Sequence, residues 1–329
     1  MAYEKCSECN QEYSGFKWCR SCNSKNFQND FNNWTSGNDQ IDKFIQDVQL
    51  NADFWKLIEW IPCDRFKDVE KIVALKKFDN FVKLNDVLNE MAIHLKTYTK
   101  FASIQFYGIT QDPKTYSYMM VLEYIADGNL REYLKINFNN INWFQKLRNL
   151  YYLSLNLMDI HELDIVHQDF HPGNILSSDF KDSYFLRISD FGLSKLIGTN
   201  PNNPEKKNIF GVLPYIAPEV LSDLAMKICN GLRPKIPFHT PKLITATIMR
   251  CWDARVTNRP TFKELRDELV KYLIDYRDYL EKGKNKDLEI GIQIKKAEEF
   301  SANQESTNTT TTTKPPLNYQ THPQAIYTS

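Results

Sequence analysis

Asp169 and Asn174 stand five positions apart in the segment His167-Gln168-Asp169-Phe170-His171-Pro172-Gly173-Asn174, and Asp190-Phe191-Gly192 begins sixteen positions after Asn174. Far upstream, Lys76 ends the run Val73-Ala74-Leu75-Lys76, and Glu90 lies beside Met91. These are the side chains that chemistry at a phosphoryl group asks of a protein. It needs a carboxylate at the attacking hydroxyl, oxygen ligands for magnesium, and a cation on the phosphates, with little covalent work from the chain itself.

A second cluster has different chemistry. Cys6-x-x-Cys9 and Cys19-x-x-Cys22 are separated by nine residues. Two C-x-x-C knuckles suit tetrahedral zinc, and so short a segment cannot fold on a hydrophobic core of its own. Four thiolates would fill the coordination sphere, which makes the expected role structural or recognitional. Redox-active thiols are the other reading. Cys63, Cys229 and Cys251 are scattered and read as small buried hydrophobes.

The elements that position these residues follow from periodicity. Ile41, Phe44, Ile45 and Val48, then Phe54, Trp55 and Ile58, have helical spacing. Lys71–Phe78 reads as a strand, and Phe81, Leu84, Leu88, Met91 and Leu95 form the stripe of an amphipathic helix. Two strands, Ser103–Ile109 and Tyr116–Tyr124, flank a Gln-Asp-Pro-Lys turn. A long helix spans Trp143–Leu163 with Leu147, Leu150, Leu157 and Ile160 on one face, and further helices cover Pro241–Trp252 and Thr261–Leu280. From Asn285 the chain turns polar and low in complexity, so a disordered tail is expected. The resulting division is 1–26 for the cysteine segment, 27–65 for a linker (Asn-rich over 27–40) and helical lead-in, 66–282 for the main domain, and 283–329 for the tail.

The 329 residues carry zero formal net charge, which gives no electrostatic reason to expect nucleic acid or an anionic membrane as a partner. No run is long and apolar enough to insert in a bilayer, and the N-terminus lacks a signal-peptide pattern. A cytoplasmic location, or the nucleus, with reduced thiols is expected.

The motifs together resemble the eukaryotic protein kinase family over about Phe66 to Leu280. His167–Asn174 is similar to the catalytic loop H-R-D-L-x-x-x-N, Asp190-Phe191-Gly192 to the magnesium loop, and Ala217-Pro218-Glu219 to the end of an activation segment. The resemblance implies an α+β, bilobal fold: a small β-rich lobe and a mostly helical large lobe, here partly truncated. It implies transfer of the γ-phosphate of ATP to a protein hydroxyl, on a Ser/Thr or Tyr residue of an unidentified substrate. Asp169 would accept the hydroxyl proton. Asn174 and Asp190 would hold magnesium, and Lys76, paired with Glu90, would contact the α- and β-phosphates. Leu122 sits at the gatekeeper position, Glu123 and Ile125 at the adenine-binding hinge, and Leu176 in the strand after the catalytic loop. Glu219 and Arg259 match the family's buried ion pair.

Three departures qualify that expectation. No glycine lies between Gly37 and Gly108, so the G-x-G-x-x-G loop over the phosphates is absent and nucleotide affinity should fall. The long buried helix that normally follows Glu219 is missing, which should leave apolar faces of the large lobe poorly covered. Gln168 replaces an Arg that receives activation-loop phosphate, so modification of Thr199 should matter little. Two other readings stay open: a pseudokinase or truncated scaffold that binds without turnover, and a small-molecule kinase of the aminoglycoside or choline type, whose loop His167–Asn174 also fits.

Overall fold

The computed structural model describes residues 5–53, 56–68, 72–78, 83–98, 100–182, 184, 186–192, 194–196, 236–253, 255–282 and 288–307. The expected activation segment with Thr199 and Ala217-Pro218-Glu219, and the site of the missing helix, lie outside them.

The helices are α1 (Arg20–Asp30), α2 (Asp39–Leu50), α3 (Leu84–Tyr98), α4 (Leu130–Asn137), α5 (Trp143–Glu162), α6 (Lys242–Cys251), α7 (Phe262–Lys282) and α8 (Glu289–Thr307). The strands are β1 (Glu59–Trp60), β2 (Val73–Lys77), β3 (Phe106–Gln111), β4 (Tyr118–Glu123), β5 (Ile165–Val166), β6 (Ile175–Ser177), β7 (Leu186–Ile188) and β8 (Lys195–Leu196). Polar side chains start several helices. Asn38 accepts from the N–H groups of Gln40 and Ile41, and Asn129 and Asn142 cap α4 and α5 in the same way. Thr261 and Glu264 form a reciprocal capping box at α7.

The small lobe is a four-stranded sheet in the order β1-β3-β4-β2. β2 and β3 both run antiparallel to β4, whereas β1 joins β3 in parallel, Glu59 opposite Gly108. That junction requires glycine, because a Cβ at 108 would lie 2.1 Å from the Glu59 carbonyl oxygen. Among the described residues no hairpin precedes β2, and β2 pairs with β4 alone. This agrees with the absence of a glycine-rich loop from the sequence.

Helix α2 belongs to this lobe. Ile41 and Ile45 are fully buried with Ile58, Val87 and Met91, and with Phe106, Ile109, Met120 and Leu122 of the sheet. Burying each such side chain stabilises by about 1.5–3 kcal/mol, so the helical lead-in expected from Ile41 is α2 and forms part of the small-lobe core. Helix α1 also crosses residue 26 and takes in the start of the Asn-rich stretch, as far as Asp30. It has no buried side chain of its own and is held by the Ser24 hydroxyl, which donates to the Leu50 carbonyl (2.6 Å).

In the large lobe α5 buries Leu147, Leu157 and Ile160, whereas Leu150 is 41 % exposed and does not share that face. Leu147 packs with Ile244 of α6, Leu269, Tyr272 and Tyr276 of α7, and Ile290 and Ile294 of α8. One expectation is corrected here: the stretch 289–307 is a helix, not part of a disordered tail, and residues 308–329 lie outside the described residues. Helices α7 and α8 cover the Leu147 end of α5, Leu157 and Ile160 pack with Ile93, Ile165, Ile188 and Phe191, and Leu150, Met249, Ile274 and Leu280 stay exposed. Gln293 of α8 also accepts from the Leu243 N–H at the start of α6 (2.9 Å).

Candidate active site

Two short ladders bring distant residues together. The β6–β7 hairpin pairs Ile175 with Ile188, which sets Asn174 and Asp190 at its open end. The β5–β8 pair holds the start of the catalytic segment against the stretch beyond Asp190. His167 locks the two loops: Nε2 lies 2.9 Å from the Ser189 carbonyl and Nδ1 accepts from the Asp169 N–H (3.3 Å). Burial pushes its pKa below the ordinary imidazole value, consistent with a neutral ring that donates from Nε2. The Asn174 side-chain amide donates to the Asp169 carbonyl (3.0 Å) and the Ser189 N–H to the Asn174 carbonyl (2.9 Å).

Gln168 (φ +61°) and Asp190 (φ +64°) both take the left-handed backbone conformation. Each costs roughly 1–3 kcal/mol for a residue with a Cβ, and such residues cluster where a site over-determines the backbone.

Across the cleft, Lys76 Nζ is 2.5 Å from Glu90 Oε1 and 2.8 Å from Asp190 Oδ1. Burial opposes charge on all three groups, and their mutual attraction, with the His94 ring beside Glu90, overcomes it. Lys76 is held above its ordinary range, Glu90 and Asp190 below theirs. The pairing of Lys76 with Glu90 read from the sequence is therefore present, and Asp190 is drawn into it. Gly192 lies against Glu90, where a Cβ would come within 3.2 Å of Oε2.

His94, one turn beyond Glu90 on α3, was not singled out by sequence patterning. Its Nε2 is 3.8 Å from Glu90 Oε1, and its ring meets Phe191 edge-on at 5.0 Å, as Phe191 in turn meets His167 at 5.0 Å. Three rings thus connect α3 to both loops. The signal was its i+4 spacing from Glu90 on a helix with a buried face.

Asp169 Oδ1 is buried without a hydrogen-bond partner among the described residues. A carboxylate oxygen in that state is an acceptor awaiting a donor, and a hydroxyl would supply one. Leu122 is buried at the end of β4 and Ile125 is buried just beyond Glu123, whose N–H donates to the Gln105 carbonyl. Leu176 packs against the small-lobe core, so it meets Leu122 and Ile125 in one cluster, with Glu123 at the end of β4 between them in sequence. Arg259 donates to the Asp253 carbonyl (2.8 Å), and its expected partner Glu219 lies outside the described residues.

The four N-terminal cysteines converge as their spacing predicts. Their sulfurs lie within 4.8 Å of one another, with Cys6–Cys22 at 3.8 Å and Cys9–Cys19 at 3.4 Å. Sulfurs on one tetrahedral metal with bonds of about 2.3 Å stand roughly 3.8 Å apart, so the donor set fits a single ion. The backbone N–H groups of Cys9 and Glu8 lower the Cys6 thiol to about 7, whereas the crowded neighbouring sulfurs push Cys9 and Cys22 up. Trp18 Nε1 donates to the Ala52 carbonyl (3.1 Å), tying the knuckles to the end of α2.

Comparison with known proteins agrees with this geometry. The protein kinase domain matches residues 65–228. Similar proteins include stress-activated protein kinase alpha of Dictyostelium discoideum, 25 % identical over 260 residues, covering 65 % of this chain and 40 % of that one. A dual specificity protein kinase of the same organism is 25 % identical over 229 residues, covering 60 % of this chain and 16 % of the relative. A protein of Acanthamoeba polyphaga mimivirus bearing the name serine/threonine-protein kinase/receptor is 28 % identical over 188 residues, covering 47 % and 11 %. The chain thus spans well under two thirds of the length of each. Its lobes, paired loops and ion triad are those of a protein kinase, and the chain belongs to the eukaryotic protein kinase family.

Proposed function

We propose that this chain is an ATP-dependent protein kinase that transfers the γ-phosphate to a protein hydroxyl. The observation that carries the reading is Lys76 held between Glu90 and Asp190, opposite a catalytic loop whose Asp169 Oδ1 is free to accept. Lys76 supplies positive charge to the phosphates, and Glu90 fixes its ammonium. Asp169 accepts the hydroxyl proton and aims the oxygen at phosphorus. Asn174 spends its amide N–H on the loop, which leaves its carbonyl oxygen and the Asp190 carboxylate as hard ligands that suit magnesium. Bound there, the ion would offset charge on the transferring group.

The full chain, incubated with γ-labelled ATP and magnesium, should label itself or an added protein on hydroxyl side chains. Label that appears only on small molecules such as aminoglycosides or choline would overturn this reading in favour of a small-molecule kinase. A scaffold without turnover is the second reading, and the sequence favours it, since no G-x-G-x-x-G run precedes Val73 and among the described residues β2 pairs only with β4.

Zinc, held by Cys6, Cys9, Cys19 and Cys22, is proposed as a structural ion. It would fix the segment that braces α2 through Trp18 and Ser24. Metal analysis of the full chain should find one zinc, lost in Cys6→Ser, and chelation should lower the melting temperature. Zinc-free protein, made with zinc available and melting at the same temperature with or without chelator, would rule the proposal out.

A further inference from the structure

The catalytic loop holds an imidazole that the reaction scheme above does not use. His171, two residues beyond Asp169, is buried at the base of the site. Its Nδ1 accepts from the Gly173 N–H (3.0 Å) and faces Arg131 Nη2 of α4 at 3.3 Å. A guanidinium only donates, so two donors converge on Nδ1 and the ring proton belongs on Nε2. Burial keeps the ring's pKa below its ordinary value, as does the charge of Arg131, although Asp169 opposes both. Nε2 in turn faces Asp169 Oδ2 at 3.6 Å. The ring cannot easily turn away, because Gly173 packs against it: a Cβ there would lie 2.8 Å from His171 Cε1.

We propose that His171 is a positioning residue for the reaction, its Nε2–H directed at Asp169 Oδ2 so that Oδ1 is left to accept from the substrate hydroxyl. The two carboxylate oxygens are thereby made unequal. Oδ2 has a donor at hand, while Oδ1 is buried without one among the described residues. Arg131 acts one step further out by fixing the tautomer. A distance of 3.6 Å is long for a hydrogen bond, and catalytic contacts of this kind tighten when substrate is bound.

The proposal rests on the kinase reading, and the test separates the two. In the full chain, His171→Asn retains an acceptor near the Nδ1 position for Gly173 but falls short of Asp169. His171→Gln can place an N–H near the Nε2 position. With Mg-ATP and a protein substrate, kcat should fall about 10–100-fold in His171→Asn while KM for ATP and the melting temperature stay near parental. His171→Gln should recover most of that loss. Parental kcat in His171→Asn, or no recovery in His171→Gln, would reduce His171 to a loop cap and overturn the proposal. A second arm needs no turnover. Ring 15N shifts of His171 should report Nε2–H with Nδ1 unprotonated, and the Nε2–H proton should move upfield in Asp169→Asn. An Nδ1–H tautomer, or a resonance indifferent to Asp169→Asn, would contradict the geometry. If the parental chain transfers no phosphate, the kinase reading fails while the spectra still decide where Nε2–H points.

Discussion

Asp169→Asn is expected to lower phosphoryl transfer by about 10²–10⁴-fold while the chain stays folded. The hydrogen bonds that shape the catalytic loop use the backbone of residue 169, while its carboxylate faces His171 Nε2 at 3.6 Å. Its N–H donates to His167 Nδ1 and its carbonyl accepts from Asn174. An Asn side chain leaves both in place and has almost the same volume. What it loses is the basic oxygen at Oδ1 that accepts the hydroxyl proton. Asp190→Asn should be comparably damaging for another reason, because it removes the negative charge that faces Lys76 and suits magnesium. Initial rates at high Mg-ATP, beside thermal melts, check both. A variant that melts like the parent and keeps a near-parental rate would overturn the role given to that residue.

The second large effect concerns stability. Ile294 of α8 is fully buried among Leu147, Ile244, Leu269, Tyr272 and Tyr276, which come from three other helices. Ile294→Ala should cost about 2–5 kcal/mol. A domain's whole margin is roughly 5–15 kcal/mol, so the large lobe should melt markedly earlier. Lys296→Ala, exposed on the same helix, should change stability by no more than about 0.5 kcal/mol. Chemical denaturation of both variants decides the matter. Equal stabilities would mean that α8 does not contribute to the core, and the covering of α5 would have to be ascribed to α7 alone.

Helix α8 also shows where sequence reading ends. Ile290, Ile294 and Ala297 follow the helical steps of four and three, so a signal existed. It is obscured by the polar, low-complexity stretch that follows it. Helix α1 offered less. Its Asn-rich sequence has no apolar stripe, and what holds it is tertiary, through Ser24 on Leu50 and Trp18 on Ala52. The parallel strand β1 depends on Gly108, nearly fifty residues away, and no local pattern announces such a pair. Motifs were legible for the opposite reason. Lys76, Glu90, Asp169, Asn174 and Asp190 are recognisable by residue type and order, and the two C-x-x-C pairs by spacing. The fold then had only to bring them together. His94 and His171 were not assigned roles, because what they touch depends on rotamers and packing that spacing does not encode.

Although the chain lacks a glycine-rich loop, it is expected to assemble a working phosphoryl-transfer site around Lys76. The most direct measurement is transfer of label from γ-labelled ATP at millimolar Mg-ATP, comparing the full chain with Lys76→Met, with thermal melts to show that both are folded. Magnesium-dependent labelling of protein hydroxyls is expected from the parental chain, and its loss in Lys76→Met. A folded parental chain that incorporates no more phosphate than Lys76→Met would contradict it and leave the scaffold reading in its place.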